Sequence, residues 1–293
     1  MRRMPDRAKW ILGVFAAASL LAACGSSEGG DVVARAGDLG HIHDLVITDD
    51  DTVLVASHSG LWRIDALDRA VLVGTERHDL MAMAGLEDGA LVASGHPDLR
   101  LEEYHVEDHP PFLGLTRSDD GGQTWEVVDL LGDADFHALA PVGDQVFGAE
   151  TTGRIWRLDP DGTWEQLGEV EARDLAVDPA DPTRQLAPDY DGSLWLSTDG
   201  AATWSRLDRA PAMIEIEWLD SGSIVGASED GIVWSAASPD AEWTEVASGP
   251  AEVETFHIDR QGRWWVTVHG GAISRSDDDG DIWIDVYIPP TRS

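Results

Sequence analysis

Cysteine, lysine and basic charge in general are scarce in this 293-residue chain. It contains one cysteine, Cys24, and one lysine, Lys9. A single cysteine cannot form an intramolecular disulfide, so packing must hold the fold together. The 55 acidic residues outnumber the 20 basic ones and give a formal net charge of −35. Because a surface this negative repels phosphates, it argues against nucleic acid and anionic lipid headgroups as partners.

Helical periodicity is also missing beyond the N-terminal segment. Short runs of alternating apolar residues, separated by turns rich in glycine, aspartate and serine, cover the rest of the chain. Alternation with a period of two predicts β-strands that bury one face. Hydrophobic residues make up 43% of the chain, which is enough for a packed core. The sequence therefore predicts an all-β protein.

The N-terminal segment has the order of charges and apolar residues that is typical of a secretory signal. Four basic residues precede the short apolar run 10–23, which is too short for a lasting membrane span. The run ends in Leu21-Ala22-Ala23-Cys24, which resembles the bacterial lipobox. That resemblance implies cleavage after residue 23 and lipidation of Cys24, with an ordinary secretory signal as the alternative. Residues 24–37 would form a flexible tether to the membrane, facing outward.

A motif of eight residues recurs along the remaining chain. Residues 118–125 have the pattern Ser-x-Asp-x-Gly-x-Thr-Trp, residues 197–204 repeat it closely, and residues 276–283 repeat it again. Two eroded copies end at Trp164 and Trp243, so that five tryptophans follow one another at intervals of 39 or 40 residues. A period near 40 with short strands in each unit predicts a β-propeller.

This motif resembles the Asp-box (BNR) repeat of sialidases and of many propellers without sialidase activity. The resemblance implies a structural role, on hairpins that join third and fourth strands, at the rim away from the ligand. The residues that carry it are Ser118, Asp120, Gly122, Trp125, Ser197, Asp199, Trp204, Ser276, Asp278, Gly280 and Trp283.

Six units of similar rhythm fill a propeller domain predicted over residues 38–288, with a short tail at 289–293. Each unit has four strand-like segments, and the third is the easiest to align, as in Gly153-Arg154-Ile155-Trp156-Arg157. Six four-stranded blades are therefore expected. Seven blades are the alternative and would need a unit that the sequence does not show. Residues 31–34 are a candidate strand for closing the ring.

Histidines gather at equivalent points of these units. Nine of the ten fall at the start of a first strand, in the turn between second and third strands, or in an insertion at that turn in unit two; His257 is the exception. In a propeller these positions share one face, so the histidines are predicted to meet at one mouth. The six proposed as metal ligands are His41, His43, His58, His96, His137 and His269.

Three interpretations of this face stay open. Imidazoles bind transition metals such as Zn or Cu, and two rings separated by one strand residue point to the same side. The rings could instead bind a polar ligand, or only satisfy backbone groups at the ends of the strands. Further candidates at the same face are Asp44, His78, Asp79, His105, His109, Glu150 and Asp174.

The lipobox, the His41-x-His43 opening and the Gly95-His96-Pro97 turn together resemble a group of bacterial lipoproteins commonly labelled glycosylhydrolases. The resemblance implies a lipid-anchored propeller, and two functions are compatible with it. One is a monomeric, non-catalytic protein that binds a ligand, metal ion or partner, and the other is a glycoside hydrolase acting on extracellular glycans. Sialidase activity is disfavoured because the Arg-Ile-Pro motif is missing and the chain has only three tyrosines.

Overall fold

Residues 31–291 are described by the structure, a computed structural model. The predicted signal peptide, Cys24 and the first part of the predicted tether lie outside the described residues. None of the helical segments within 31–291 has the length and apolarity of a membrane span.

The first three blades are consecutive antiparallel sheets of four strands each. Blade one comprises β1 (Ile42–Ile47), β2 (Val53–Ser57), β3 (Gly60–Ala66) and β4 (Arg69–Leu72). Blade two comprises β5 (Asp79–Gly85), β6 (Leu91–His96), β7 (Leu115–Ser118) and β8 (Glu126–Asp129). Blade three comprises β9 (Phe136–Val142), β10 (Gln145–Glu150), β11 (Arg154–Leu158) and β12 (Trp164–Glu169).

The other three blades repeat this arrangement. Blade four comprises β13 (Ala176–Val177), β14 (Gln185–Pro188), β15 (Leu194–Ser197) and β16 (Ser205–Arg206). Blade five comprises β17 (Glu215–Trp218), β18 (Ile224–Ala227), β19 (Ile232–Ala236) and β20 (Thr244–Ser248). Blade six comprises β21 (Val253–Ile258), β22 (Trp264–Val268), β23 (Ala272–Ser276) and β24 (Ile284–Tyr287). The prediction of six four-stranded blades is confirmed, and seven blades are wrong.

The blades form a ring because each buries apolar side chains against both neighbours. The first strands of successive blades lie side by side, and β1 also contacts β21. Six apolar clusters fill the spaces between neighbouring blades. The tryptophans of the repeated motif join five of these clusters, so each indole bridges its own blade and the one before it: Trp125, Trp164, Trp204, Trp243 and Trp283.

The ring closes by side-chain packing between blades six and one. Trp265 and Tyr287 of blade six and Trp62 of blade one are at most 2% exposed in one shared cluster. The candidate closing strand at 31–34 does not join blade six. Val33 instead pairs with Val71 of β4, at the outer edge of blade one. Blade six supplies all four of its own strands, so the ring does not need a strand from the N-terminus.

The insertion in blade two follows β6 and contains the short 3-10 helix η1 (Glu102–Tyr104). Tyr104 anchors it, because its ring packs into the cluster between blades one and two and its hydroxyl donates to the Trp125 carbonyl at 3.2 Å. The insertion therefore folds onto the rim between two blades, beside the face where the histidines were predicted to gather.

Candidate functional site

The two faces of the propeller are distinguished by strand register. The starts of the first strands lie beside the ends of the second strands, as in the pairs Ile42 with Ser57 and Asp79 with His96. We call the channel opening bounded by these residues the mouth. Ser118 ends the third strand and pairs with Leu91 at the other end of β6, so the repeated motif turns lie on the opposite face.

Three histidines of blade one form a compact triad at the mouth. His41 precedes β1, His43 lies in β1, and His58 lies in the turn between β2 and β3. One ring nitrogen from each lies within 4.8 Å of the others, and His43 Nε2 is 3.1 Å from His58 Nδ1. The His43 side chain is 8% exposed, whereas those of His41 and His58 are about half exposed. The triad therefore offers three nitrogen donors at a point that solvent can reach.

Glu254 of β21 is a mouth residue that the sequence analysis missed. Its Oε1 lies 2.7 Å from His41 Nδ1 and 3.1 Å from His269 Nδ1, so the carboxylate links blade six to blade one. Its Oε2 accepts the backbone N–H of Ile42 at 2.9 Å. Its position at the start of a first strand, equivalent to those of the mouth histidines, is the signal that could have identified it.

Asp79 connects the triad of blade one to blade two. Its Oδ1 lies 2.7 Å from His58 Nδ1 and 3.7 Å from His43 Nε2. Its Oδ2 lies 3.4 Å from His96 Nδ1. Although burial opposes ionisation, the hydrogen bonds with His96 and His58 lower the pKa of Asp79. This carboxylate is therefore charged and shared between two groups of imidazoles.

Asp135 extends the arrangement to blade three. Its Oδ2 lies 3.1 Å from His137 Nε2 and 3.4 Å from His96 Nε2. The residue is 5% exposed, and its other oxygen, Oδ1, has no hydrogen-bond partner among the described residues. Imidazoles and carboxylates thus alternate along the mouth from blade six through blades one and two to blade three.

The charges of these histidines differ from one to the next. Burial, together with two neighbouring imidazoles, lowers the pKa of His43 to about 3, so its ring is neutral at neutral pH. The hydrogen bonds to Asp135 and Asp79 raise the pKa of His96 to about 10, so this ring is cationic. Burial opposes the charge on Asp135, but the hydrogen bonds with His137 and His96 lower its pKa to about 2.

Several predicted residues stand apart from this arrangement. His78 is buried between its partners, with Nε2 2.7 Å from Glu76 and Nδ1 accepting the Asp98 N–H at 2.9 Å. His105 is an exposed residue of the insertion, and His109 lies 3.1 Å from Asp133. The structure brings none of these three histidines into contact with the mouth histidines in the part of the chain that it describes.

Glu150, which was predicted to lie at the ligand face, is only 2% exposed, and its carboxylate is hydrogen-bonded to residues of its own blade. Its carboxylate accepts hydrogen bonds from Arg154 at 2.6 Å and from the Trp156 indole. These contacts hold the turn between β10 and β11. Glu150 therefore acts on the stability of blade three.

Asp44 and Asp174 line the channel below the mouth and connect neighbouring blades. Asp44 accepts the N–H of Met83 from the next blade at 2.9 Å, and Asp174 accepts that of Ile216 at 2.8 Å. Burial raises the pKa of Asp44 to about 7 and that of Asp174 to about 6. Burial also raises the pKa of Glu215, which lines the same cavity of about 830 Å³. The channel is therefore acidic but partly protonated near neutral pH.

The fold and its central site define a six-bladed β-propeller with a histidine- and carboxylate-lined mouth. No protein-family model and no curated protein sequence matches the chain, whereas solved propeller structures do.

A streptogramin B lyase is similar over 89% of this chain and 88% of its own, with 14% identity and a TM-score of 0.57. An ancestral GH74 enzyme is similar over 87% of this chain and 39% of its own, with 12% identity and a TM-score of 0.52. YCF48 bound to D1 peptide is similar over 73% of this chain and 70% of its own, with 18% identity and a TM-score of 0.47. At these identities the likeness to the lyase and to the GH74 enzyme shows the fold alone.

Proposed function

We propose that this chain is a lipid-anchored, extracytoplasmic bacterial propeller that binds a transition-metal ion at its mouth and acts by binding, without catalysis. Solved propellers of similar fold include enzymes and a peptide-bound protein, so the fold supports no choice between these classes. The proposal therefore depends on the chemistry of the mouth and of the N-terminal segment.

The observation that carries the metal proposal is the triad of His41, His43 and His58. Zinc–nitrogen bonds of 2.0–2.1 Å in a tetrahedral site place the donor atoms about 3.4 Å apart. The 3.1 Å separation between His43 Nε2 and His58 Nδ1 is close to that spacing, and the third nitrogen lies within 4.8 Å of both. Small side-chain rotations would bring all three onto one ion. Three imidazoles suit Zn²⁺ or Cu²⁺ and leave a fourth position for water or a ligand.

Metal analysis of the purified full-length chain tests the triad. After saturation with Zn²⁺ and removal of free metal, we expect His43→Ala to hold one equivalent less than the wild type. His58→Ala, at a side chain that is 56% exposed, is the second variant in case the first does not fold. His109→Ala is the matched control, because this histidine lies in the insertion. Equal zinc content in all four proteins would reject the triad as a metal site.

Lipid anchoring is tested separately at Cys24. The order of basic residues, apolar run and cysteine supports cleavage and lipidation at this residue. We expect the wild type in the membrane fraction of cells and a Cys24→Ser variant in the soluble or unprocessed fraction. Identical fractionation of the two proteins would contradict the anchor without touching the metal proposal.

A glycoside hydrolase is the second candidate function, and the raised pKa of Glu215 favours it. General acids of glycosidases are carboxyl groups that burial keeps protonated near neutral pH. Asp79 and Asp135 at the mouth have lowered pKa values and do not fit that role. Hydrolysis of oligosaccharides that survives metal chelation and disappears in Glu215→Gln would favour the hydrolase over the binding protein.

A further inference from the structure

We propose that the mouth holds a second divalent transition-metal ion, bound by His96, Asp135 and His137 of blades two and three. This inference rests on the proposed function, since it adds a second centre to the one assigned to the triad of blade one. The two centres would be separate sites on either side of Asp79.

In the second centre, the Asp135 carboxylate of blade three lies beside one histidine nitrogen of its own blade and one of blade two. Asp135 Oδ2 lies 3.1 Å from His137 Nε2 and 3.4 Å from His96 Nε2. These two separations from the carboxylate are close to the spacing of about 3.4 Å between donors around a tetrahedral ion, and side-chain rotation would have to bring the two imidazole nitrogens together. Two imidazoles and one carboxylate are a donor set that zinc sites use when one position stays open for water or a ligand. The His96 side chain is about one-third exposed, so solvent reaches the centre.

Asp79 provides the outer partner that such a centre needs. A histidine that binds a metal through one nitrogen usually donates the hydrogen of its other nitrogen to a carboxylate, which fixes the ring. His96 Nδ1 lies 3.4 Å from Asp79 Oδ2, while Asp79 Oδ1 lies 2.7 Å from His58 Nδ1 of the triad. Asp79 is therefore a positioning residue for His96 in the second centre, and its other oxygen lies beside the triad.

An independent observation is the unpaired oxygen of Asp135. A purely structural ion pair would explain Oδ2, which faces both histidines. Such an ion pair does not explain Asp135 Oδ1, which has no hydrogen-bond partner among residues 31–291 although the side chain is only 7% exposed. Buried carboxylate oxygens are normally paired, because losing water without a replacement is unfavourable. A metal ion coordinated by both oxygens of the Asp135 carboxylate, or by Oδ1 alone, would supply the missing partner.

Zinc stoichiometry of the purified full-length chain tests this assignment. We expect two zinc ions in the wild type, one in Asp135→Asn and one in His43→Ala, which removes the other centre. His137→Gln is the second variant for blade three, and near-ultraviolet circular dichroism checks that each variant is folded. The loss of a direct ligand should weaken the second ion by more than about 100-fold in titrations, since outer partners alone account for 10–100-fold.

The other outcomes separate the two proposals. One zinc ion in the wild type that persists in Asp135→Asn and His137→Gln and disappears in His43→Ala would overturn the second centre and keep the first. Two ions in the wild type and in both blade-three variants would overturn the assignment of these residues. Wild-type protein that binds no zinc would overturn the proposed function and this inference together.

Discussion

The repeated motif turns and the mouth lie at opposite ends of the blades and use polar side chains in different ways. In the turn 118–125, Ser118 Oγ accepts the N–H of Gly122 at 2.8 Å and donates to Asp120 at 2.8 Å. Asp120 in turn accepts the N–H of Thr124 at 3.0 Å and its hydroxyl at 2.7 Å. The turns 197–204 and 276–283 repeat the serine contacts and the bond from a backbone N–H to the aspartate. Each turn thus satisfies its serine and aspartate side chains within eight residues.

The mouth depends instead on contacts between distant parts of the chain. His41 and Glu254 are 213 residues apart, and His58 and Asp79 are 21 residues apart. The first contact forms only when blade six meets blade one, and the second only when blades one and two pack together. One oxygen of Asp135 stays unpaired among the described residues. The serine and aspartate groups of the turns are therefore satisfied locally, whereas the carboxylates and imidazoles of the mouth depend on the packing of neighbouring blades, and one carboxylate oxygen there has no partner among the described residues.

The largest expected difference between the two regions concerns glycine. Gly95 at the mouth and Gly121 in a repeated turn both have positive φ, at +136° and +71°. A Cβ at Gly95 would overlap the Asp79 carbonyl oxygen and come within 2.7 Å of the Met81 nitrogen, whereas nothing lies within 4 Å of a Cβ at Gly121. We expect Gly95→Ala to lower the free energy of unfolding by more than about 3 kcal/mol and Gly121→Ala by about 1 kcal/mol. Chemical denaturation measures both, and equal losses would contradict the structure.

A second difference concerns the response of the two regions to pH. Burial raises the pKa of Asp44 to about 7, so the folded chain holds this proton more tightly than the unfolded chain does. Its contribution is fully present below about pH 4 and is lost as the pH rises through 7. From pH 5 to pH 8 the wild type should lose about 2 kcal/mol more unfolding free energy than Asp44→Asn, because asparagine does not titrate.

The control for this pH experiment is Asp120 in the repeated turn. The N–H and hydroxyl of Thr124 lower the pKa of Asp120, so its contribution has the opposite sign and is lost as the pH falls through the folded value. The unfolding free energy of Asp120→Asn should therefore fall less than that of the wild type at acidic pH. Between pH 5 and 8 it should change as in the wild type. Parallel pH profiles for Asp44→Asn and the wild type would show that Asp44 is not perturbed.

The smallest expected effect separates stability from binding. Ser276→Ala leaves the buried N–H of Gly280 without the acceptor that now lies 2.9 Å away, which should cost about 1–2 kcal/mol. Its zinc content should equal that of the wild type. His58→Ala removes a half-exposed side chain and should change stability by less than about 0.5 kcal/mol while lowering zinc content. If Ser276→Ala lost as much zinc as His58→Ala, the proposal that the mouth binds the metal and the turn serves only stability would be wrong.

Most of the fold could be predicted from the sequence because its signals are local. The period near 40 residues, the alternating strands and the glycine-centred turns indicated six four-stranded blades, and the structure confirms that count. Ring closure could not be predicted, because the packing of Trp265 and Tyr287 against Trp62 joins the two ends of the domain. Residues 31–34 have strand-like character, but strand character does not specify which edge they pair with.

The sequence predicted where the site histidines lie in the blades, but not which side chains they contact. Alignment of the units placed the histidines at equivalent points of the blades. The structure shows, however, that His78 is buried against Glu76, and that Glu254, which the alignment did not indicate, lies at the mouth. In a chain with 55 acidic residues, no sequence signal distinguishes the carboxylates that meet imidazoles from those that face solvent. Metal binding at the mouth therefore stays a prediction that the stoichiometry experiments decide.

By itself, the sequence determined the blade architecture and the chemistry of the repeated turns. The physical reason is that strand alternation, glycine turns and the serine–aspartate contacts act between residues close in the chain. Only the tertiary structure decided that Asp79 lies between His58 and His96, and that Asp135 lies between His96 and His137. These juxtapositions depend on how neighbouring blades pack around the channel, which the short range of the sequence signals cannot specify.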